Sequence, residues 1–167
     1  TEQPVFSRER DRFSLFIPNS EEKGVLKYIF LVYFLLKIEN RKGNSLSTYK
    51  ILFIGEIVGK AGIFCVKHLL NNLKKKYQID FTIANGEGAT GGFGIGKNHS
   101  IYLRKLGIEC ITTGECVYYK KDMVTHIPHS PYILRPANYP YGNPGRGWYI
   151  YNRDDIRIGV INILGQS

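Results

Sequence analysis

Three short stretches set a carboxylate directly behind a glycine: GEIVGKAG with Glu56, NGEGATGG with Glu87 and TGECVYYKKD with Glu115. Each follows an apolar run of strand character. In an open α/β sheet all three would stand at the carboxyl ends of strands, the edge where such folds bind ligands. Carboxylates brought to one edge repel one another unless a cation lies between them, and an oxygen-rich set suits a hard divalent ion. The shared placement therefore predicts that Glu56, Glu87 and Glu115 converge on a metal. Cys116 adds a reactive thiol beside the third carboxylate. In the glycine-rich second loop, Gly86, Gly88, Gly91 and Gly92 are the candidate phosphate-contacting positions.

Two phosphate-loop patterns are close to that loop without fitting it. GEGATG, residues 86 to 91, matches GxGxxG, with Glu109 about twenty residues on. Gly92 to Gly96 then intervene before a helix can start, so its amino terminus is not where a pyrophosphate needs it. GGFGIGKN approaches the P-loop, but Asn98 replaces the hydroxyl that ligates magnesium.

The elements that must position these loops alternate regularly from Tyr49 onward. YKILFIG reads as a buried strand, and AGIFCVKHLLNNLKKKY as a helix with Ile63, Val66, Leu69, Leu70 and Leu73 at helical spacing. IDFTIA is the second strand, NHSIYLRKLG a helix closed by Gly107, and IECITTG the third strand. A short polar helix near Lys120 to His126 follows, then a Pro/Gly-rich segment with a brief strand. GWYIYNRDDIRIGVINIL reads as two strands joined at Asn152 to Asp155. The fold class is α/β, at least partly parallel.

Residues 1 to 48 differ in character from residues 49 to 167. A polar, charged start leads to the apolar run VLKYIFLVYFLLKI and then to ENRKGNSLST. The unbroken apolar part, Tyr28 to Leu36, is well short of the roughly 20 residues a spanning helix needs. It also lacks the layout of a signal peptide. Its readings are a helix packed on the domain, or residues foreign to the fold.

The whole chain has 167 residues and a formal charge of +9, which favours phosphate-bearing partners through long-range attraction. The basic residues are spread out, and only Lys74 to Lys76 form a run, read as a solvated helix face; no strong nucleic-acid or membrane signal results. Cys65, Cys110 and Cys116 form no CxxC pair, so neither a disulfide framework nor a zinc knuckle is indicated and a cytoplasmic setting fits best.

Taken together, KILFIGEIVGKAG, IDFTIANGEGATGGFGI, ITTGECVYYKKD, LRPANYPYGNPGRG and IRIGVINILGQS resemble the YmdB-type metallophosphoesterases, a branch of the calcineurin-like superfamily, over residues 49 to 167. The resemblance implies a metallophosphoesterase-type α/β/β/α sandwich, here partial and truncated. It implies one or two divalent ions, manganese or iron, and activity on 2',3'-cyclic nucleotides or related phosphodiesters. The family pattern has Asp in the first loop, Glu-Asn in the second and Asn-His in the third. Glu87 matches it directly. Glu56 replaces the Asp, Gly88 the Asn beside Glu87, Glu115 the metal-binding Asn and Cys116 the catalytic His. The family's further metal-binding histidines lie beyond the point matching INILGQS, and His68, His99, His126 and His129 match none of them. A partial sandwich has sheet edges to cover, by a partner chain, a second copy or residues 25 to 38. The alternative to a phosphoesterase of impaired activity is a non-catalytic phosphate- or nucleotide-binding, or self-assembling, module of the same fold.

Overall fold

A computed structural model describes residues 31 to 37, 48 to 153 and 156 to 165. Its strands are β1 (Leu31–Lys37), β2 (Thr48–Glu56), β3 (Phe81–Asn85), β4 (Cys110–Thr112), β5 (Ile133–Leu134), β6 (Trp148–Arg153) and β7 (Ile156–Ile161). Among the described residues three helices alternate with the strands: α1 (Gly59–Tyr77), α2 (Lys97–Lys105) and the short α3 (Lys121–His126), which runs on into a 3-10 turn at Ile127–His129. The alternation read from the sequence holds. The third strand is shorter than the apolar run around it.

β1 to β5 form one sheet in that order. β2, β3, β4 and β5 are parallel neighbours, each step crossing through a helical segment. A parallel sheet is stable only with both faces covered, and the side chains divide accordingly. Leu52, Ile54, Ala84, Ile111 and Ile133 point into a core shared with Cys65, Val66 and Leu70 of α1 and Leu103 of α2. Ile51, Phe81, Cys110 and Leu134 point to the opposite face, where Ile156 and Ile158 of β7 and Tyr149 and Tyr151 of β6 cover them. Burying a Leu or Phe side chain fully is worth roughly 1.5–3 kcal/mol, so both layers contribute to stability.

β6 and β7 form a separate antiparallel ribbon. Its inner face is the aromatic and aliphatic layer just described, while Trp148, Ile150 and Ile161 on the outer face are exposed. Helices, parallel sheet and ribbon thus make three layers of an α/β sandwich.

The apolar run before residue 49 is placed differently from the helix expected of it. Leu31–Lys37 is a strand, antiparallel to β2 from Leu31 opposite Ile54 to Lys37 opposite Thr48. A short apolar run satisfies either period, and the unpaired edge of β2 offers it backbone partners, so pairing decides the form. Tyr28 to Phe30 and the linker-like residues 38 to 47 lie outside the described residues. No helix among the described residues is long and apolar enough to cross a membrane.

The basic run at the end of α1 departs from expectation at one residue: Lys75 and Lys76 are exposed, as a solvated face requires, and Lys74 is turned inward. Lys74 is not a solvated residue: its Nζ donates to Gly107 O at 2.9 Å and to Glu109 Oε1 at 2.8 Å. Arg153 donates to the same oxygen at 2.9 Å, and Thr82 N donates to Glu109 Oε2 at 2.7 Å. Glu109 stands just before β4, at the sheet end opposite the three loops, which removes it from any role in holding a ribose there.

Candidate functional site

The loops leaving β2, β3 and β4 meet at one edge, as the parallel order requires, and backbone bonds join them. Ile57 N donates to Asn85 O at 2.8 Å, Gly59 N to Gly88 O at 2.9 Å, and Gly86 N to Thr112 O at 2.9 Å. Buried Ile57, Ala89, Ile95 and Val117 root the loops in the core. Gly94 lets the second and third loops touch. Its φ is +74°, and a side chain there would stand 2.6 Å from Cys116 O, so only glycine fits without displacing backbone.

Glu87 is the centre of this edge. Its backbone N–H is held by Asn85 Oδ1 at 2.9 Å. Its carboxylate accepts the Gly114 N–H at 2.5 Å and the Cys116 N–H as well, one on each oxygen. A charged acceptor makes such bonds roughly twice as strong as neutral ones, so Glu87 fixes the third loop to the second. Tyr139 completes the enclosure, its hydroxyl donating to Glu115 O at 3.1 Å.

Glu56 ends β2 and extends over Gly88: a Cβ built on Gly88 would lie 2.5 Å from Glu56 Oε1. The longer arm of Glu at position 56 thus uses the volume that a side chain at position 88 would take. Glu115 is exposed, and its charge is felt by Cys116, Tyr119 and Tyr139. Glu87 acts on the same three groups. Burial, followed by the Glu87 carboxylate, pushes the Cys116 thiol above its ordinary value. Cys116 in turn raises exposed Tyr119, and burial with Glu87 and Glu115 raises Tyr139. Each group therefore holds its proton through neutral pH.

Among the described residues, no carboxylate of this edge has a Lys, Arg or His ion-pair partner. Such uncompensated charge attracts a cation, yet no three His, Cys, Asp or Glu side chains among the described residues stand together so as to hold a metal ion. Each Glu87 oxygen already accepts one amide, Glu56 is turned onto Gly88, and Glu115 faces solvent. As placed, these residues do not fit an assembled divalent site.

Three of the four histidines are engaged elsewhere. His99 Nδ1 is hydrogen-bonded to Thr90 Oγ1 at 2.7 Å, and the His68 ring packs at a tilt against Phe64. His126 lies between the hydroxyls of Tyr132 and Ser130, each at 3.0 Å, with its pKa lowered mainly by burial.

The four candidate glycines divide into two kinds. Gly86 and Gly88 are packing positions, closed in by Ile111 and Glu56 respectively, whereas Gly91 and Gly92 have positive φ and open space around them. Gly86 N and Gly92 N are both committed to carbonyls of the fold. The sequence reasoning missed Tyr119, Tyr139 and Gly94. Tyr139 lies in LRPANYPYGNPGRG, whose density of Pro, Gly and Tyr was the available signal.

The family model described as YmdB-like protein matches residues 52 to 167. A 2',3'-cyclic-nucleotide 2'-phosphodiesterase of Bacillus subtilis is 38% identical over 118 residues, covering 71% of this chain and 45% of that protein. The crystal structure of a novel phosphatase from Mycoplasma pneumoniae superposes with a TM-score of 0.69 at 31% identity, covering 74% of this chain and 45% of that one. A hypothetical protein from Thermus thermophilus gives 0.64 at 28% identity, over 70% and 45%. The chain thus spans somewhat under half the length of these relatives.

Proposed function

Because the chain belongs to the YmdB-like family, with its phosphodiesterase and phosphatase relatives, we propose that it is a phosphoesterase-type domain taking 2',3'-cyclic nucleotides or related phosphodiesters, with impaired turnover. The observation that carries the reading is the Glu87 carboxylate holding the third loop to the second, with Glu56 and Glu115 at the same edge and, among the described residues, no Lys, Arg or His paired with any of the three. The family's divalent ion, manganese or iron, would be drawn to this charge. Its ligands are not assembled here, and that is one source of the impairment.

The second source is Cys116. Phosphodiester cleavage needs a group that steadies or protonates the departing oxygen, and imidazole is suited to this near neutral pH. A thiol held protonated by burial and by Glu87 supplies no positive charge. What this chain's residues do is orient: Glu87 holds the third loop, and Tyr139 caps it through Glu115 O. A cytoplasmic setting and small phosphodiester substrates accord with this reading. Self-association is the second reading, favoured by exposed Trp148, Ile150 and Ile161 on the outer ribbon face.

The test combines calorimetric binding and hydrolysis of 2',3'-cyclic AMP, with and without manganese. The parent is expected to bind and to turn over slowly. Cys116→His should raise the manganese-dependent rate by up to ~100-fold, and Cys116→Ser should leave it unchanged. Absence of any binding to the parent would sink the phosphodiester reading, and equal rates for parent and Cys116→His would sink the role given to the thiol.

A further inference from the structure

A second site lies away from the carboxylates, where the brief strand β5 meets the start of β6. An open cleft of about 630 Å³ is lined by Pro128, Arg135, Ala137, Arg146, Trp148 and Tyr149, among others. The two arginines arise from adjoining backbone: Arg135 N donates to Arg146 O at 2.9 Å, beside the bridge between Leu134 and Arg146. The close approach depends on Gly147, where any Cβ would strike Ala137 Cα at 2.3 Å.

Both guanidiniums keep unused capacity. Arg135 donates from Nη1 to Pro136 O at 2.7 Å, and its Nε is buried with no acceptor. Arg146 makes one long bond, 3.3 Å, to Pro128 O and lies 5.1 Å from the centre of the Tyr149 ring. No carboxylate among the described residues pairs with either arginine. Two uncompensated guanidiniums suit a phosphate, whose charge and several oxygens can take both sets of forked donors. Trp148, which also lines the cleft, is 60% exposed and offers a large indole surface on which a planar ring can stack.

The geometry points to a binding site for a phosphorylated aromatic small molecule of the mononucleotide class, its phosphate on Arg135 and Arg146 and its ring on Trp148. This goes beyond the phosphoesterase reading, since it requires neither metal nor turnover. The site is nevertheless linked to the carboxylate edge. Arg135 acts electrostatically on Tyr118, whose hydroxyl donates to Pro144 O at 2.7 Å and whose ring lies tilted beside that of Tyr139, 6.2 Å between centres.

Trp148 is the sole tryptophan of the chain, so its fluorescence reports on the cleft alone. AMP titrated into the intact chain in EDTA should quench it saturably, adenosine should bind at least about tenfold more weakly, and inorganic phosphate should compete. Arg146→Gln should weaken AMP by about tenfold, the loss of one charge-assisted contact, with an unchanged circular dichroism spectrum. Should that variant fail to fold, Trp148→Leu read by calorimetry replaces it, again with a loss of about tenfold expected. Equal response to AMP and adenosine, no saturable quenching, or full affinity in a folded Arg146→Gln would overturn the proposal. So would concentration-dependent, blue-shifted Trp148 emission, which would mean that a second copy covers this face. Because all arms run without metal, their failure leaves the manganese-dependent hydrolysis test untouched, and the reverse also holds.

Discussion

Glu109 and Glu87 stand at opposite ends of the same parallel sheet, and each joins elements distant in sequence. Glu109 does so with full charge compensation: Lys74 and Arg153 share one oxygen and the Thr82 amide takes the other. Glu87 does so with amides alone, those of Gly114 and Cys116. At the first end the charge is neutralised within the protein, and the cluster ties α1, β3, β4 and β6 together. At the second, Glu56 and Glu115 add charge instead of removing it. The physical difference separates a carboxylate that stabilises the fold from carboxylates left able to interact with something else.

The largest effect is expected where compensation is complete. Glu109→Gln keeps the shape but leaves Lys74 and Arg153 without their anion. Breaking a buried pair costs about 3–5 kcal/mol, and the partial exposure of Lys74 and Arg153, 23% and 45% of their side chains, reduces this to about 2–3 kcal/mol. Urea denaturation measures it. A loss below that produced by Glu87→Gln would reverse the assignment of structural and functional ends.

A pH experiment sharpens the same contrast. Burial raises the Cys110 thiol, at the Glu109 end, to about 11 from 9.0. Above pH 9 the unfolded chain releases this proton while the folded chain keeps it, so stability falls as pH rises, by about 2–3 kcal/mol on reaching pH 11. Cys116, at the other end, is shifted in the same direction. Cys110→Ala should flatten the alkaline decline in denaturation free energy more than Cys116→Ala does. A steeper contribution from Cys116 would show that the loop edge, not the sheet interior, is the more desolvated environment.

Much of the frame was legible in the sequence, because strand runs and the helical spacing of α1 are local signals, and because glycines mark where parallel strands end. The positions of Glu56, Glu87 and Glu115 followed from that alone. Their use did not. Glu87 takes amides from a loop 27 to 29 residues away, and Glu109 finds its cations 35 and 44 residues away; no periodicity encodes such pairings. The strand Leu31–Lys37 was equally out of reach of pattern reading, since its form depends on an open neighbour edge. Arg135 and Arg146 read as loop residues until the fold set their backbones side by side.

The smallest expected effect concerns the pair formed by Glu56 and Gly88. Gly88 has an ordinary φ and is closed in by the Glu56 carboxylate, with Val58 Cγ2 3.3 Å from where its Cβ would be. The obstruction is the free end of a flexible side chain, so Gly88→Asn should be tolerated at about 1 kcal/mol, the carboxylate of Glu56 swinging away. Glu56→Asp withdraws that carboxylate by one methylene and frees the same volume. The two substitutions should therefore couple: the double variant should recover about 0.5–1 kcal/mol relative to the sum of the single ones. Manganese retention, read by calorimetry, should rise only in the double variant, where an amide oxygen and a shorter carboxylate occupy the space together. Strict additivity in both measurements would mean that Glu56 does not depend on the absence of a side chain at position 88. The carboxylate edge would then be a set of independent surface charges, and the contrast with the Glu109 cluster would be one of burial alone.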